Sequence, residues 1–237
     1  MPILQAEFPN ALAELNDVLS QYRIGVSEVI GGGGGETSHT QRLRRALDER
    51  GWKKKNIQTM QSVLVSDTSG RRAAEAAAKY ELPSESHEVD HVKRFESGTI
   101  ALELEWNNKD PFYDRDLENF RRLHHIGLVS VGVIITRGPT LQDHLRSIFS
   151  EHYSDTSTYT SVEDLPGTVG QKEQIMSLMS RGHSLGDAAG HVFFTNKFGT
   201  ATTHWAKLME RVDNRLLGHP CPLLLVGIEA TRIDPLS

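Results

Sequence analysis

The chain has 237 residues, enough for one sizeable core, with 38% hydrophobic residues and 26 Lys and Arg against 31 Asp and Glu, a formal net charge of -5. That balance argues against a nonspecific nucleic-acid binder, which is normally basic overall, but leaves room for a specific one that gathers carboxylates for a metal. The single Cys221 excludes an internal disulfide framework and a cysteine zinc site; with no apolar run of membrane-spanning length, and an MPILQAEFPNALAEL start without a signal-peptide core, a cytoplasmic protein with no membrane partner is expected.

Periodicity predicts helices over residues 5–22 and 37–50. The second has Ser38 and Gln41 as a capping box, Leu43, Ala46 and Leu47 as its apolar side, and Gly51 as its stop. Gly31 to Gly35 stand before it, and backbone N–H groups there have access to a phosphate. The Gly-Lys-Ser/Thr ending of a nucleotide-binding loop is absent, so a flexible entry loop is the default reading. Glu36, at the junction, favours the positive end of the helix dipole. Basic residues cluster at Arg42, Arg44 and Arg45, at Lys53 to Lys55, and at Arg71 and Arg72. Solvated helix faces and a cleft that neutralises phosphates explain them equally well. Residues 71–80, RRAAEAAAKY, form a third helix by propensity.

The stretch from His87 to Arg137 carries the strongest functional signal. Reading Thr99 to Trp106 as a strand, alternation puts Glu103 and Glu105 on one face and Leu102, Leu104 and Trp106 on the other. Asp90 lies in an earlier extended run, Glu88 to Val92, and Ser97-Gly98 offers a turn between the two, so a short hairpin brings three carboxylates together. Hard cations such as Mg²⁺ take oxygen ligands, usually one or two carboxylates with substrate phosphate and water, which points to phosphate chemistry. On spacing alone, the plainer alternative is that Glu103 and Glu105 sit on the wet face of a half-buried strand. The residues beyond Trp106 weaken that alternative. Leu117, Phe120, Leu123 and Ile126 make one stripe of a helix starting near Asp114, and the apolar run Leu128 to Thr136 reads as a strand buried on both faces. Strand, helix and strand form a crossover unit, which makes the second strand parallel to the first in a mixed sheet. The acidic strand is then internal, where unpaired carboxylates are costly.

From Ser150 to Asn196 the chain is polar and rich in Ser and Thr, with one short helix expected around Gln171 to Ser180. Long irregular segments in compact domains are usually functional, so residues 150–196 are expected to be an insertion or recognition segment within one domain of residues 1–237. Thr200 to Leu217 reads as a helix capped by Thr202 or Thr203, with Ala206, Leu208, Met209, Val212 and Leu216 as its apolar side. His204 lies in its first turn, where a capping or surface role comes first and a DNA contact second. His124 and His125 favour the negative end of the crossover helix and are not read as metal ligands. Cys221, between two prolines, reads as a buried structural thiol, and LLLVGIEATRI as a strand of the same sheet.

Taken in order, Asp90, a hairpin, Glu103-Leu104-Glu105, a crossover helix and a VGVIITR strand resemble the restriction endonucleases of the BglII and BamHI type, a branch of the PD-(D/E)xK nuclease superfamily. Weaker echoes stand in GGGGGE followed by TQRLRRALDERGW, in ATTHWAKL and in CPLLLVGI; together they cover somewhat over half of the chain. A bare D…ExE is common in acidic proteins, whereas the run from Glu103 through WNNKDPF and DRDL to VGVIITR is far more specific. Glu105 stands where the superfamily usually has Lys. Within this branch Glu or Gln is what the resemblance leads one to expect, and Lys109, beyond the strand end, is a substitute cation.

The resemblance implies an α/β fold with a mixed central β-sheet flanked by helices, and a single nuclease domain. It also implies a Mg²⁺-dependent type II restriction endonuclease, acting as a homodimer on a short palindromic site in double-stranded DNA. On that reading Asp90 and Glu103 hold the metal with the Leu104 carbonyl, Glu105 orients or deprotonates the attacking water, and Glu36 is a further active-site carboxylate. Asn107, Lys109, Arg137, Thr203 and His204 become candidate DNA contacts, and a cognate DNA methyltransferase becomes a functional partner but not a bound subunit. Two rivals stand beside this reading: a repair or structure-specific nuclease with the same core, and a DNA-binding protein without turnover. A glycosidase ranks last, because 7% aromatic residues is few for a sugar-stacking cleft. A discrete fragment ladder from intact DNA separates restriction from both rivals.

Overall fold

The computed structural model describes residues 2–31, 35–65, 78–215 and 220–234. The N-terminal part runs α1 (Pro2–Glu7), α2 (Pro9–Gln21), β1 (Ile24–Gly25), α3 (Val26–Ile30), α4 (Ser38–Glu49), β2 (Lys53–Thr59), β3 (Ser62–Val65) and β4 (Ala78–Glu81). The middle is β5 (Glu85–Phe95), β6 (Gly98–Glu105), α5 (Phe112–His125) and β7 (Val131–Arg137). The rest is α6 (Pro139–Tyr153), α7 (Val169–Met179), α8 (Leu185–Phe198), α9 (Trp205–Asp213), β8 (Leu223–Ile228) and β9 (Ile233–Asp234). Five strands form the central sheet in the order β2-β5-β6-β7-β8, the first two pairings antiparallel and the last two parallel. This is the mixed α/β sheet flanked by helices that the resemblance implies.

The sheet divides the core because side chains alternate along each strand. Ile100, Leu102 and Leu104 of β6 pack with Leu15 of α2, Leu43 of α4, Leu145 of α6 and Ala189 of α8. On the opposite face Ala101 joins Leu117 and Phe120 of α5 and Leu208 of α9. Each of these large side chains contributes about 1.5–3 kcal/mol by leaving water. Arg211 of α9 also holds Asp110 and Asp114 at 3.0 Å, fixing the start of α5. All seven residues of β7 are buried, as a strand covered on both faces requires.

The β5–β6 hairpin closes with Phe95 opposite Gly98. Gly98 has φ 141°, and a Cβ there would lie 2.1 Å from Ser130 Oγ, so the turn tolerates only glycine. The parallel β6–α5–β7 crossover comes next, with Glu105 opposite Thr136. Ile126 falls outside the expected stripe: it is 47% exposed at the end of α5, while Tyr113, Asp116 and Asn119 share the buried face.

Several elements differ from expectation. Residues 5–22 are two helices because Pro9 starts a new one as α2 opens. Thr37, not Ser38, is the N-cap of α4, and Gln41 donates to the Glu36 carbonyl instead of closing a capping box. Of the expected helix 71–80, residues 71–77, with Arg71 and Arg72, lie outside the described residues; Ala78 to Tyr80 belong to a strand paired with β3. Residues 32–34 of the glycine run and Leu216 also lie outside them. The last helix begins at Trp205 with His204 as its N-cap, and Thr202 instead bridges Lys109.

The largest difference is between residues 139 and 198. The segment expected to be irregular apart from a short helix around Gln171 to Ser180 carries the end of α6, all of α7, which is that helix, and most of α8, with Ile175, Ala188, Ala189, Val192 and Phe193 buried in the main core. Backbone meets backbone between α6 and α8. A Cβ on Gly190 would lie 2.7 Å from Ser150 Cα, and one on Gly186 only 1.9 Å from Ser154 Oγ. No helix among the described residues is long and apolar enough to cross a membrane. Cys221 is buried, which pushes its thiol up to about 11.

Candidate active site

The hairpin register brings Asp90 and Glu103 together. The Asp90 N–H donates to Glu103 Oε2 at 3.2 Å, and the Leu104 N–H donates to Asp90 Oδ2 at 3.1 Å, so each carboxylate is fixed by the other's strand. Glu105 lies on the same face of β6 as Glu103, and both are 2% exposed. Asn108 Nδ2 donates to Glu105 Oε2 at 2.9 Å. Arg44, from α4, sits between two acids, 2.7 Å from Asp90 Oδ1 and 2.7 Å from Glu36 Oε1. The four predicted acids therefore form one group. Asp90, Glu103 and Glu105 line a cavity of about 350 Å³, which shares the Arg44 and Leu104 wall with a neighbouring cavity of about 630 Å³ reaching Glu36, Asn107 and Lys197.

Two further residues join this group that sequence reasoning did not single out. His87 Nε2 is 3.2 Å from Glu103 Oε1, and one ligand atom from each of His87, Glu103 and Asp116 lies within 4.8 Å of the others. Asp116 is fully buried on α5; Arg115 Nε and Nη2 donate to its Oδ1 at 2.9 and 2.8 Å, while Oδ2 is buried without a hydrogen-bond partner. Signals for both were present. Alternation puts His87 on the face of Val89, and Asp116 falls three residues after Tyr113 and four before Phe120, on the helix stripe that enters the core.

Burial first, and the Asp116 charge second, hold the Glu103 and Glu105 carboxyls well above the usual carboxylate range. Burial also raises Asp116, against the pull of Arg115. Burial and then Arg115 pull His87 down, which leaves a neutral imidazole. Three buried acids thus face one nearby guanidinium, Arg115, whose Nη2 is 3.8 Å from Glu105. An excess of carboxylate oxygens with one orphaned atom fits a divalent cation.

The expected DNA contacts separate. Lys109 is exposed beyond the strand end, in a β-bridge with Thr202, and His204 is half-buried with its imidazole pulled down by burial. Asn107 Nδ2 donates to the Lys197 carbonyl at 3.0 Å, and its Oδ1 is buried without a partner. Arg137 is not a surface residue: it is 0% exposed, donating to Trp106 O at 2.8 Å, Gln142 Oε1 at 2.6 Å, Thr202 Oγ1 at 2.7 Å and Thr203 O at 2.6 Å. Thr203 is equally buried and accepts from the Asn108 N–H at 3.1 Å. Neither presents a surface to a phosphate; both brace the turn after β6. Of the basic clusters, Arg42 is taken by Glu28 and Lys54 by Glu88.

The family model for restriction endonuclease BglII/BglIII matches residues 2–228 of the chain. No curated protein matches it.

Proposed function

The chain belongs to the restriction endonuclease BglII/BglIII family and is a type II site-specific restriction endonuclease, a DNA-cleaving hydrolase; we propose that it uses Mg²⁺ held by Asp90, Glu103 and the Leu104 carbonyl. The observation that carries this reading is the interlock of Asp90 and Glu103 across the hairpin, with Glu105 beside them in an open cavity. When bound, the ion supplies Lewis-acid polarisation of the scissile phosphate and eases ionisation of water. Arg44, beside both Asp90 and Glu36, would offer a cation to the phosphate. Glu105, its Oε2 oriented by Asn108, takes the proton of the attacking water as the water oxygen adds to phosphorus and the P–O ester bond breaks, the leaving oxygen taking a proton from solvent water. A carboxyl with raised proton affinity is the stronger base for that step, provided it is ionised.

In this reading residues 1–237 are one nuclease domain, working in the cytoplasm as a homodimer whose two-fold axis matches a palindromic site in double-stranded DNA. A cognate methyltransferase protects the host sites as a separate protein. Asn107, Lys109 and His204 contact DNA at the cavity margin, while Arg137 and Thr203 position them. Residues 150–196 serve recognition or dimer contact through the outward residues of α7, Val169, Met176 and Met179, which are 75%, 48% and 36% exposed. Digesting genomic-scale DNA with Mg²⁺ and sequencing the fragment ends tests the whole reading. One recurrent two-fold sequence at every end is expected; ends at random, or cutting confined to branched DNA, overturn it.

A further inference from the structure

The group around Asp116 has a donor set unlike that of Asp90. It offers two carboxylates and an imidazole, from three different elements: His87 from β5, Glu103 from β6 and Asp116 from α5. Asp116 is the informative member. Arg115 takes Oδ1 through two donors, so Oδ2, enclosed and without a partner, is the atom left for a ligand. A buried carboxylate oxygen with no donor is costly; the Glu105 carboxyl approaches Asp116, so a proton shared between the two acids holds that place until a cation takes it.

We propose that His87, Glu103 and Asp116 form a second cation site, one that takes a divalent first-row transition ion, from Mn²⁺ to Zn²⁺, in preference to Mg²⁺. Mg²⁺ favours an all-oxygen shell, whereas an imidazole nitrogen suits Zn²⁺ and its neighbours; Mn²⁺, though hard, is a first-row ion that accepts an imidazole more readily than Mg²⁺ does and serves as the spectroscopic probe. Two carboxylates also match the charge of a divalent ion. Glu103 belongs to both sites, with Oε2 facing the Asp90 backbone and Oε1 facing His87, so the two ions would sit on opposite oxygens of one carboxylate. The inference rests on the nuclease reading only through this shared residue.

The test is pulsed electron paramagnetic resonance of Mn²⁺ added to the full chain, with nitrogen modulation from a coordinated imidazole as the signature. The wild-type protein should show that modulation. Asp90→Ala should keep it, His87→Gln should lose it, and Asp116→Asn should weaken the nitrogen-coordinated ion by about tenfold or more. Circular dichroism and thermal melting of each variant verify folding. Absence of nitrogen modulation in the wild type, or its survival in a folded His87→Gln, overturns the site. Cleavage of plasmid DNA in Mg²⁺ alone reads the nuclease assignment separately: cutting without nitrogen modulation removes only the second site, and modulation without cutting removes only the nuclease assignment.

Discussion

Arg137 and the group of Glu103, Glu105 and Asp116 are both buried near the same ends of neighbouring strands, with Glu105 opposite Thr136. Arg137 has a protein acceptor for each nitrogen and the Phe198 ring 4.8 Å from its guanidinium carbon. The acids crowd together with their proton affinities raised, one oxygen without a donor and a single nearby guanidinium. A buried charge with complete partners belongs to the architecture. One with incomplete partners destabilises the fold and marks where something else binds.

The largest effect expected from breaking this contrast is on chemistry. Replacing Asp90 or Glu103 with Ala should slow single-turnover cleavage by roughly a thousandfold or more while specific DNA binding persists, because phosphate and base contacts lie elsewhere. Near-normal cutting by either variant would remove the assignment. Arg137→Met should instead act on folding, destabilising by about 3–5 kcal/mol in denaturant unfolding, since it strands the Trp106 and Thr203 carbonyls. If that variant melts normally and only loses DNA affinity, Arg137 is a DNA contact after all.

A third buried group sharpens the comparison from the neutral side. His39 is 0% exposed, with Nδ1 2.6 Å from the Tyr22 hydroxyl and Nε2 2.8 Å from Thr37 Oγ1, and burial pulls its pKa from 6.5 down to about 4. Its folded-state pKa is below the unfolded value, so the unfolded chain binds the proton first as pH falls. Stability is therefore full above pH 6.5 and declines by about 3 kcal/mol as pH falls to about 4. His87 and His91, also pulled down, add in the same direction. Melting His39→Gln across that range should show a shallower decline; an unchanged slope places the proton elsewhere.

Two smaller effects divide the acids themselves. Glu105→Gln keeps the shape but not the base, and should slow cleavage by roughly a hundredfold with little loss of binding; cutting at the parent rate would assign water activation to another group. Asp116→Asn removes charge from a crowded site while leaving an oxygen for Arg115. Without divalent ions it should raise stability by about 1 kcal/mol, and a loss of similar size would mean Asp116 is structurally partnered like Arg137.

Legibility tracks locality. The β5–β6 hairpin and the β6–α5–β7 crossover are readable because period-two alternation, a Ser-Gly turn and a continuous β-branched run each announce themselves within a few residues. Asp90, Glu103 and Glu105 come with them. Asp116 does not, because a stripe drawn through Leu117, Phe120 and Leu123 passes over the acid beside it, and only the packing of α5 on the sheet shows that its side chain enters the core. Arg137 fails in the opposite sense: an arginine at a strand end reads as exposed until the acceptors from Trp106 and Thr203, remote in sequence, are in place. The α6–α8 pair is invisible because its contact is made of Gly, Ala and Ser. In sequence these look like loop composition; in the fold their smallness lets two helix backbones touch.

That contact also fixes a margin of the cleft. The end of α8 carries Lys197, whose ammonium holds the Val29, Ile30 and Gly31 carbonyls where the glycine run begins, and whose carbonyl receives Asn107 from the turn after β6. With no clearance against α6, α8 behaves as a rigid spacer whose thickness sets the gap between these two loops. A methyl group on Gly190 would meet Ser150 Oγ and, at 2.6 and 2.7 Å, the Ser150 backbone N and Cα; the hydroxyl can turn aside but the backbone cannot, so α8 would have to shift against α6. The spacing of the two loops beside the cavity is thus adjustable from behind the sheet, by substitutions that leave every acid where it is.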